Sequence, residues 1–116
     1  MKTHKDLDVW RDSIELVTKI YKLVQYFPKE EKFGLVDQIK RAAISVPSNI
    51  AEGAARSSKR EFIQFLYISL GSLAELETHL IIAKNLGFLD DKNKIFCNLE
   101  KVKSLLLGLI KYLKNR

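Results

Sequence analysis

The sequence predicts an all-α protein, an antiparallel up-down-up-down four-helix bundle, on three observations. Four stretches carry apolar residues at alternating spacings of three and four, which lines one face of a helix. The connections between them are a few residues long, so consecutive helices are expected to be antiparallel neighbours. Five glycines and two prolines in 116 residues leave too few turn formers for an all-β chain. The length suits a single domain, residues 1–116.

The first helix is expected over about residues 7–27. Leu7, Trp10, Ile14, Val17, Tyr21 and Val24 make one apolar stripe, and Leu16, Ile20, Leu23 and Phe27 a second beside it. Asp6 or Asp8 can cap its start, and Pro28 ends it because a residue before proline avoids the α region. The second helix, about 32–55, has its apolar line at Val36, Ile39, Ala43, Val46 and Ile50. Pro47 cannot donate to the Ala43 carbonyl, so a kink rather than an end is expected there; Gly53-Ala54-Ala55 then weakens the helix. The third opens with Ser58-Lys59-Arg60-Glu61, the spacing of a capping box. Its buried side is Phe62, Phe65, Leu66, Ser69, Leu73, Leu76, Leu80 and Ala83, with the neighbouring Leu70, and Gly87 stands where a left-handed cap belongs. Asp90 or Asp91 is placed to cap the fourth helix, whose line Ile95, Leu99, Val102, Leu106, Leu109 and Leu113 is a strict heptad.

These helices carry more apolar surface than a lone bundle needs. Residues 105–110 spread apolar side chains over more than half of the fourth helix, and the third has no charge from residue 62 to 74. Surplus of this kind marks a partner interface, so a homo-oligomer is expected; the competing account is wider burial within the bundle. The second helix also carries a polar line opposite its apolar one: Gln38, Arg41, Ser45, Ser48 or Asn49, Glu52 and Arg56. Serine and asparagine are poor helix formers that compete for backbone hydrogen bonds. The line reads as a structural or interface stripe, satisfying carbonyls freed by Pro47, a neighbouring helix or a neighbouring subunit.

Chemistry is mostly absent from the pattern. One cysteine, Cys97, excludes a disulfide framework, and its place between Phe96 and Asn98 suggests a half-buried, inert thiol. Glu75 and His79 with a distant His4 do not complete a carboxylate-bridged metal set, and Ser45 and Ser48 have no histidine nearby. No phosphate-binding or dinucleotide fingerprint is present. No catalytic residue, metal or cofactor is expected. The opening residues lack the apolar core of a signal peptide, and residues 62–83 are too polar for lipid, so a soluble, cytoplasmic chain without membrane contact is expected.

The charge is the remaining clue. Lys and Arg number 20 against 14 Asp and Glu, a net +6. Residues 39–61 hold Lys40, Arg41, Arg56, Lys59 and Arg60 against Glu52 and Glu61; residues 90–116 hold seven basic side chains against three acidic. Such patches suit phosphate binding by counterion release. Lys40, Lys59, Arg60, Lys101 and Lys103 are the candidate nucleic-acid contacts. No motif for base-specific readout is visible.

The run from Gln38 through Ser45-Val46-Pro47-Ser48-Asn49-Ile50-Ala51-Glu52-Gly53 to Arg56 resembles the signature of a bacterial four-helix-bundle family. Its members are encoded by intervening sequences within large-subunit ribosomal RNA genes. Asp8-Val9-Trp10, Tyr21, residues 27–31 and residues 71–77 agree with it. The resemblance implies a homo-oligomer, typically a pentameric ring, and kinship with the accessory variability determinant proteins of diversity-generating retroelements. It supplies no settled activity. The resulting expectation is a non-enzymatic oligomer that binds RNA or DNA through repeated basic surfaces; the alternative is a protein-interaction scaffold whose basic charge only solubilises or steers.

Overall fold

Helices α1 (Asp8–Val24), α2 (Leu35–Ala54), α3 (Lys59–Asn85) and α4 (Ile95–Lys114) make up the computed structural model, which describes residues 3–116. Single 3₁₀ turns, His4–Asp6 and Lys29–Glu31, precede α1 and α2, and there is no strand among the described residues. Each helix packs against two others, in the order α1–α2, α2–α3, α3–α4 and α4–α1. The 27 residues of α3 rise about 40 Å at 1.5 Å each, close to the 46 Å long dimension of the molecule.

The apolar line of α2 is buried throughout, as its spacing requires. The two stripes of α1 turn out unequal. Leu16, Ile20, Val24 and Phe27 enter the core with Val9 and Ser13, whereas Ile14 and Tyr21 stay well exposed on the flank. In α4 the strict heptad fails at its end: after Leu106 the core takes Ile110, and Leu109 and Leu113 are half-buried. A straight helix drifts by about 20° per heptad, which carries the seam one residue on.

Helix boundaries follow local hydrogen bonding. Leu7, not Asp8, holds the cap position of α1 and offers no side-chain bond. Asp8 pairs instead with Arg11, whose guanidinium also donates to the Lys5 carbonyl at 2.8 Å. The Asp6 side chain lies outside the described residues. The end of α1 tightens into 3₁₀ bonds from Tyr26 and Phe27, and the turn after Pro28 consumes the residues expected to begin α2.

Neither Asp90 nor Asp91 caps α4. The Asn93 side chain accepts the Ile95 N–H at 2.9 Å, while Asp90 accepts the Lys92 N–H at 2.8 Å within the loop. That backbone bond, with the Asp91 side chain second, holds the Asp90 carboxyl below its usual range. The aspartates sit too far upstream to reach the first helical amides.

α3 starts and stops where expected, with half of the capping box in place: Ser58 Oγ accepts the Glu61 N–H at 3.1 Å, while the Glu61 carboxylate accepts the Ser58 hydroxyl at 3.1 Å. Gly87 takes φ of 84°, a left-handed conformation that glycine adopts without steric cost. Gly87 and Phe88 N–H then bond the Lys84 and Ala83 carbonyls, both at 2.9 Å. Phe88 thereby lands 5.6 Å from the Phe27 ring, tying the two loops together. Ser58→Ala is expected to lower unfolding free energy by about 1 kcal/mol, read as a lower urea midpoint at unchanged slope.

The α2–α3 seam is the tightest. α2 continues through Pro47, and the Val46 carbonyl beside it accepts the buried Ser69 hydroxyl at 2.8 Å. A Cβ on Gly53 would stand 2.7 Å from Phe65 Cβ, so this glycine serves close helix approach as well as weakening the helix.

Candidate nucleic-acid and assembly surfaces

Along α2 the polar line resolves into local bonds. Arg41 pairs with Asp37 at 3.2 Å, and Gln38 is exposed. Ser45 and Ser72 share a hydrogen bond of 2.8 Å across to α3, and Asn49 Nδ2 donates to the Ser45 carbonyl at 2.8 Å and to its hydroxyl at 2.9 Å. Ser48 donates back to the Ile44 carbonyl at 2.8 Å. Arg56 pairs with Glu52 at 2.8 Å and lies 4.9 Å over the Phe65 ring. The poor helix formers therefore bond the Ile44 and Ser45 carbonyls, not the Ala43 carbonyl that Pro47 frees, and reach the neighbouring helix through Ser72.

The five candidate basic residues do not share one patch. Lys40 lies over the Tyr21 ring at 4.7 Å, about 20 Å along α2 from the Lys59–Arg60 end. Lys101 faces α1, 3.2 Å from Asp12, beside a polar cavity of about 90 Å³. Lys103 points toward α3, next to Leu70, Leu73 and Glu77. Two residues apart on a helix means about 200°, so Lys101 and Lys103 face different ways.

Lys59 has better company, and Arg60 next to it in sequence is exposed. Lys59 Nζ donates to the Arg116 carbonyl at 2.6 Å, which joins the start of α3 to the end of α4. Lys114 donates to the Tyr67 hydroxyl at 2.6 Å, and Arg116 to the Tyr112 hydroxyl at 2.8 Å. Arg56, Lys59 and Arg116 line a cavity of about 480 Å³ with Ser57, Ser58 and Phe62. Lys114 and Arg116 count among the basic residues of 90–116 in the sequence but were not named as candidate contacts; that Arg116 meets Lys59 requires knowing that the two helix ends come together.

The outer side of α3 is the other surface. Ten residues between 62 and 85 are exposed: Gln64, Tyr67, Ile68, Gly71, Ala74, Glu75, Thr78, Ile81, Ile82 and Asn85. Only Glu75 is charged. Solvated helix faces are normally filled with lysine and glutamate. Gly71 lies on this face, and a Cβ there would meet nothing within 4 Å. By length and composition α3 is also apolar enough to cross a membrane, yet Leu66, Ser69, Leu73, Leu76, Leu80 and Ala83 are buried against the other helices.

Remaining chemistry is sparse. His79 contacts Glu75 at 3.3 Å, and no three His, Cys, Asp or Glu side chains cluster among the described residues. Cys97 is exposed rather than half-buried, because at 100° per residue it falls opposite the Leu99–Leu106 side of α4.

The family model described as 23S rRNA-intervening sequence protein matches residues 5–108. Among solved structures, the chain is similar to a protein with unknown function from the S23 ribosomal protein family of Bacteroides thetaiotaomicron VPI-5482. The two share 27% identity at a TM-score of 0.82, over 89% of this chain and 95% of that one. No curated protein matches. With its four helices, its Pro47-containing α2 and a match spanning nearly the whole sequence, the chain belongs to the 23S rRNA-intervening sequence protein family.

Proposed function

We propose that this chain is a non-enzymatic up-down-up-down bundle that assembles into a homo-oligomeric ring. Five copies are what the family resemblance implies. The ring binds RNA or DNA through basic surfaces repeated on each copy, without reading bases. Helix direction is supported by register: Ser45 meets Ser72, Val46 meets Ser69, and Gly53 meets Phe62 and Phe65, so numbers rise on α2 as they fall on α3. Lys59 beside Arg116 extends the same pattern to α4.

The observation that carries the proposal is the outer face of α3. A mid-helix glycine costs about 0.5–1 kcal/mol relative to alanine, and nothing inside the chain requires one at position 71. A second copy laid closely on this uncharged face gives Gly71 a reason. Ile14 and Ile44 edge a groove of about 340 Å³ between α1 and α2, on a different flank. Two unlike patches joined head to tail generate a ring when the rotation closes.

Each copy then contributes one basic end. Arg56 and Lys101 are partly neutralised by Glu52 and Asp12, which leaves Lys59, Arg60, Lys114 and Arg116 to hold phosphates. Repetition around a ring multiplies weak backbone contacts. Lys59→Glu with Arg60→Glu is expected to weaken binding at least about tenfold at low salt. It should also flatten the dependence of log affinity on log salt by about two. Fluorescence anisotropy across a salt series measures both. Binding to RNA and DNA too weak to detect at low salt, together with one protein recovered from nuclease-treated lysate, would favour the scaffold reading.

A further inference from the structure

We propose that the α1–α2 connection is a stacking platform for unpaired nucleotide bases, which makes single-stranded RNA or DNA the preferred polynucleotide. This rests on the nucleic-acid reading above and adds a site that none of the earlier candidates except Lys40 touches. Tyr26 is 85% exposed and Phe33 88%, the most open large apolar side chains among the described residues. Neither contributes to the core.

The connection that carries Tyr26 and Phe33 also concentrates basic charge, although neither ring lines the cavity there. The same connection borders a cavity of about 340 Å³, with Val24, Phe27 and Val36 contributing apolar surface. Lys29, Lys32 and Lys40 line it, and no carboxylate does, although Glu30 and Glu31 sit on the same turn. Lys29 and Lys32 form no ion pair among the described residues, and Lys32 Nζ stands 5.4 Å from the Phe33 ring centre. Aromatic rings next to unpaired lysines are the elements of single-strand binding, in which bases stack and phosphates meet cations.

The platform is also held in place. Phe27 is buried and packs on Phe88. The turn is closed by hydrogen bonds of 3.0, 3.1 and 3.1 Å from Glu31, Lys32 and Gly34 to the carbonyls of Pro28, Lys29 and Glu31. A preformed loop loses little freedom on binding. Base faces are available only outside a duplex, so the rings discriminate by strandedness and not by sequence. The one-signed cavity lining favours a phosphate chain over a protein surface.

Anisotropy with labelled oligo(dT) and with a blunt-ended DNA duplex, on the intact protein at low salt, tests this. Tyr26→Ala and Phe33→Ala are each expected to weaken oligo(dT) binding by about 5- to 150-fold and to leave duplex binding unaffected. Both rings are exposed, so helicity and solution mass should be those of the parent. Oligo(dT) affinity that survives both substitutions, or an equal loss on the duplex, overturns the platform. A changed solution mass overturns it too, since the rings would then be joining copies or holding another protein. If Lys59→Glu with Arg60→Glu abolishes binding while the ring variants do nothing, this inference alone fails; if neither probe binds the parent protein, the nucleic-acid reading fails with it.

Discussion

Gly53→Val is expected to destabilise the fold by about 3 kcal/mol or more, a large share of the roughly 5–15 kcal/mol that holds a domain together. The first added carbon would stand 2.7 Å from Phe65 Cβ, 3.0 Å from Phe62 Cδ1 and 3.2 Å from the Phe62 carbonyl oxygen. Two of those three atoms are fixed to the α3 backbone and cannot rotate away. The helices must therefore separate. Separation stretches the buried bond from Ser69 to the Val46 carbonyl and the Ser45–Ser72 bond, both 2.8 Å. Any gain in helix propensity from replacing glycine is below about 1 kcal/mol and does not offset this. Urea unfolding followed by circular dichroism reads the loss as a lower midpoint. A midpoint equal to the parent's would show that α3 can shift freely, contrary to the packing described.

Position 53 also shows where sequence reading stops. The apolar line Val36, Ile39, Ala43, Val46 and Ile50 was legible because burial of a helix face imposes a period within one segment. The capping box at Ser58 and the left-handed Gly87 were legible for the same reason, since each is a local bond pattern. The close approach at Gly53 depends on Phe62 and Phe65, brought alongside only by the register of two helices. The α4 seam shifted to Ile110 because helical drift accumulates, and α4 starts at Ile95 after Lys94, which offers no side-chain cap, with Asn93 taking the Ile95 N–H and both aspartates too far upstream to reach it.

The surfaces divide in the same way. The polar character of the α2 line was legible, but its partners were not: Ser72 lies across a helix interface. The uncharged run on α3 was visible, whereas the division into an inner and an outer side needed the burial of Leu66, Leu73 and Leu80. Charge counts located basic segments without showing that Lys59 and Arg116 touch. A one-dimensional count sums charge along the chain, and binding depends on charge in space.

Lysine on the outer face of α3 is expected to have the other large effect, on assembly rather than folding. Ile68 is 51% exposed and Ile82 42%, so in the free chain an ammonium at either position reaches water and costs within about 0.5 kcal/mol. Between copies of the proposed ring the same ammonium would be buried without a partner, a penalty of about 3–5 kcal/mol, and each 1.4 kcal/mol is about tenfold in association. Ile68→Lys and Ile82→Lys should therefore give monomers of parental helicity by light scattering and circular dichroism.

Leu106→Lys should instead unfold the chain, because that side chain is fully buried in the bundle. Leu109→Lys should do so less severely, since Leu109 is only half-buried. Gly71→Ala separates the two energies most sharply. It should stabilise the isolated bundle by about 0.5–1 kcal/mol, because a Cβ there meets nothing, while loosening the proposed assembly, in which a second backbone would come close. A parent protein that is monomeric at working concentration would overturn the proposed assembly, and α3-face lysine variants that keep an oligomer intact would place its interface elsewhere; either leaves the uncharged flank of α3 unexplained.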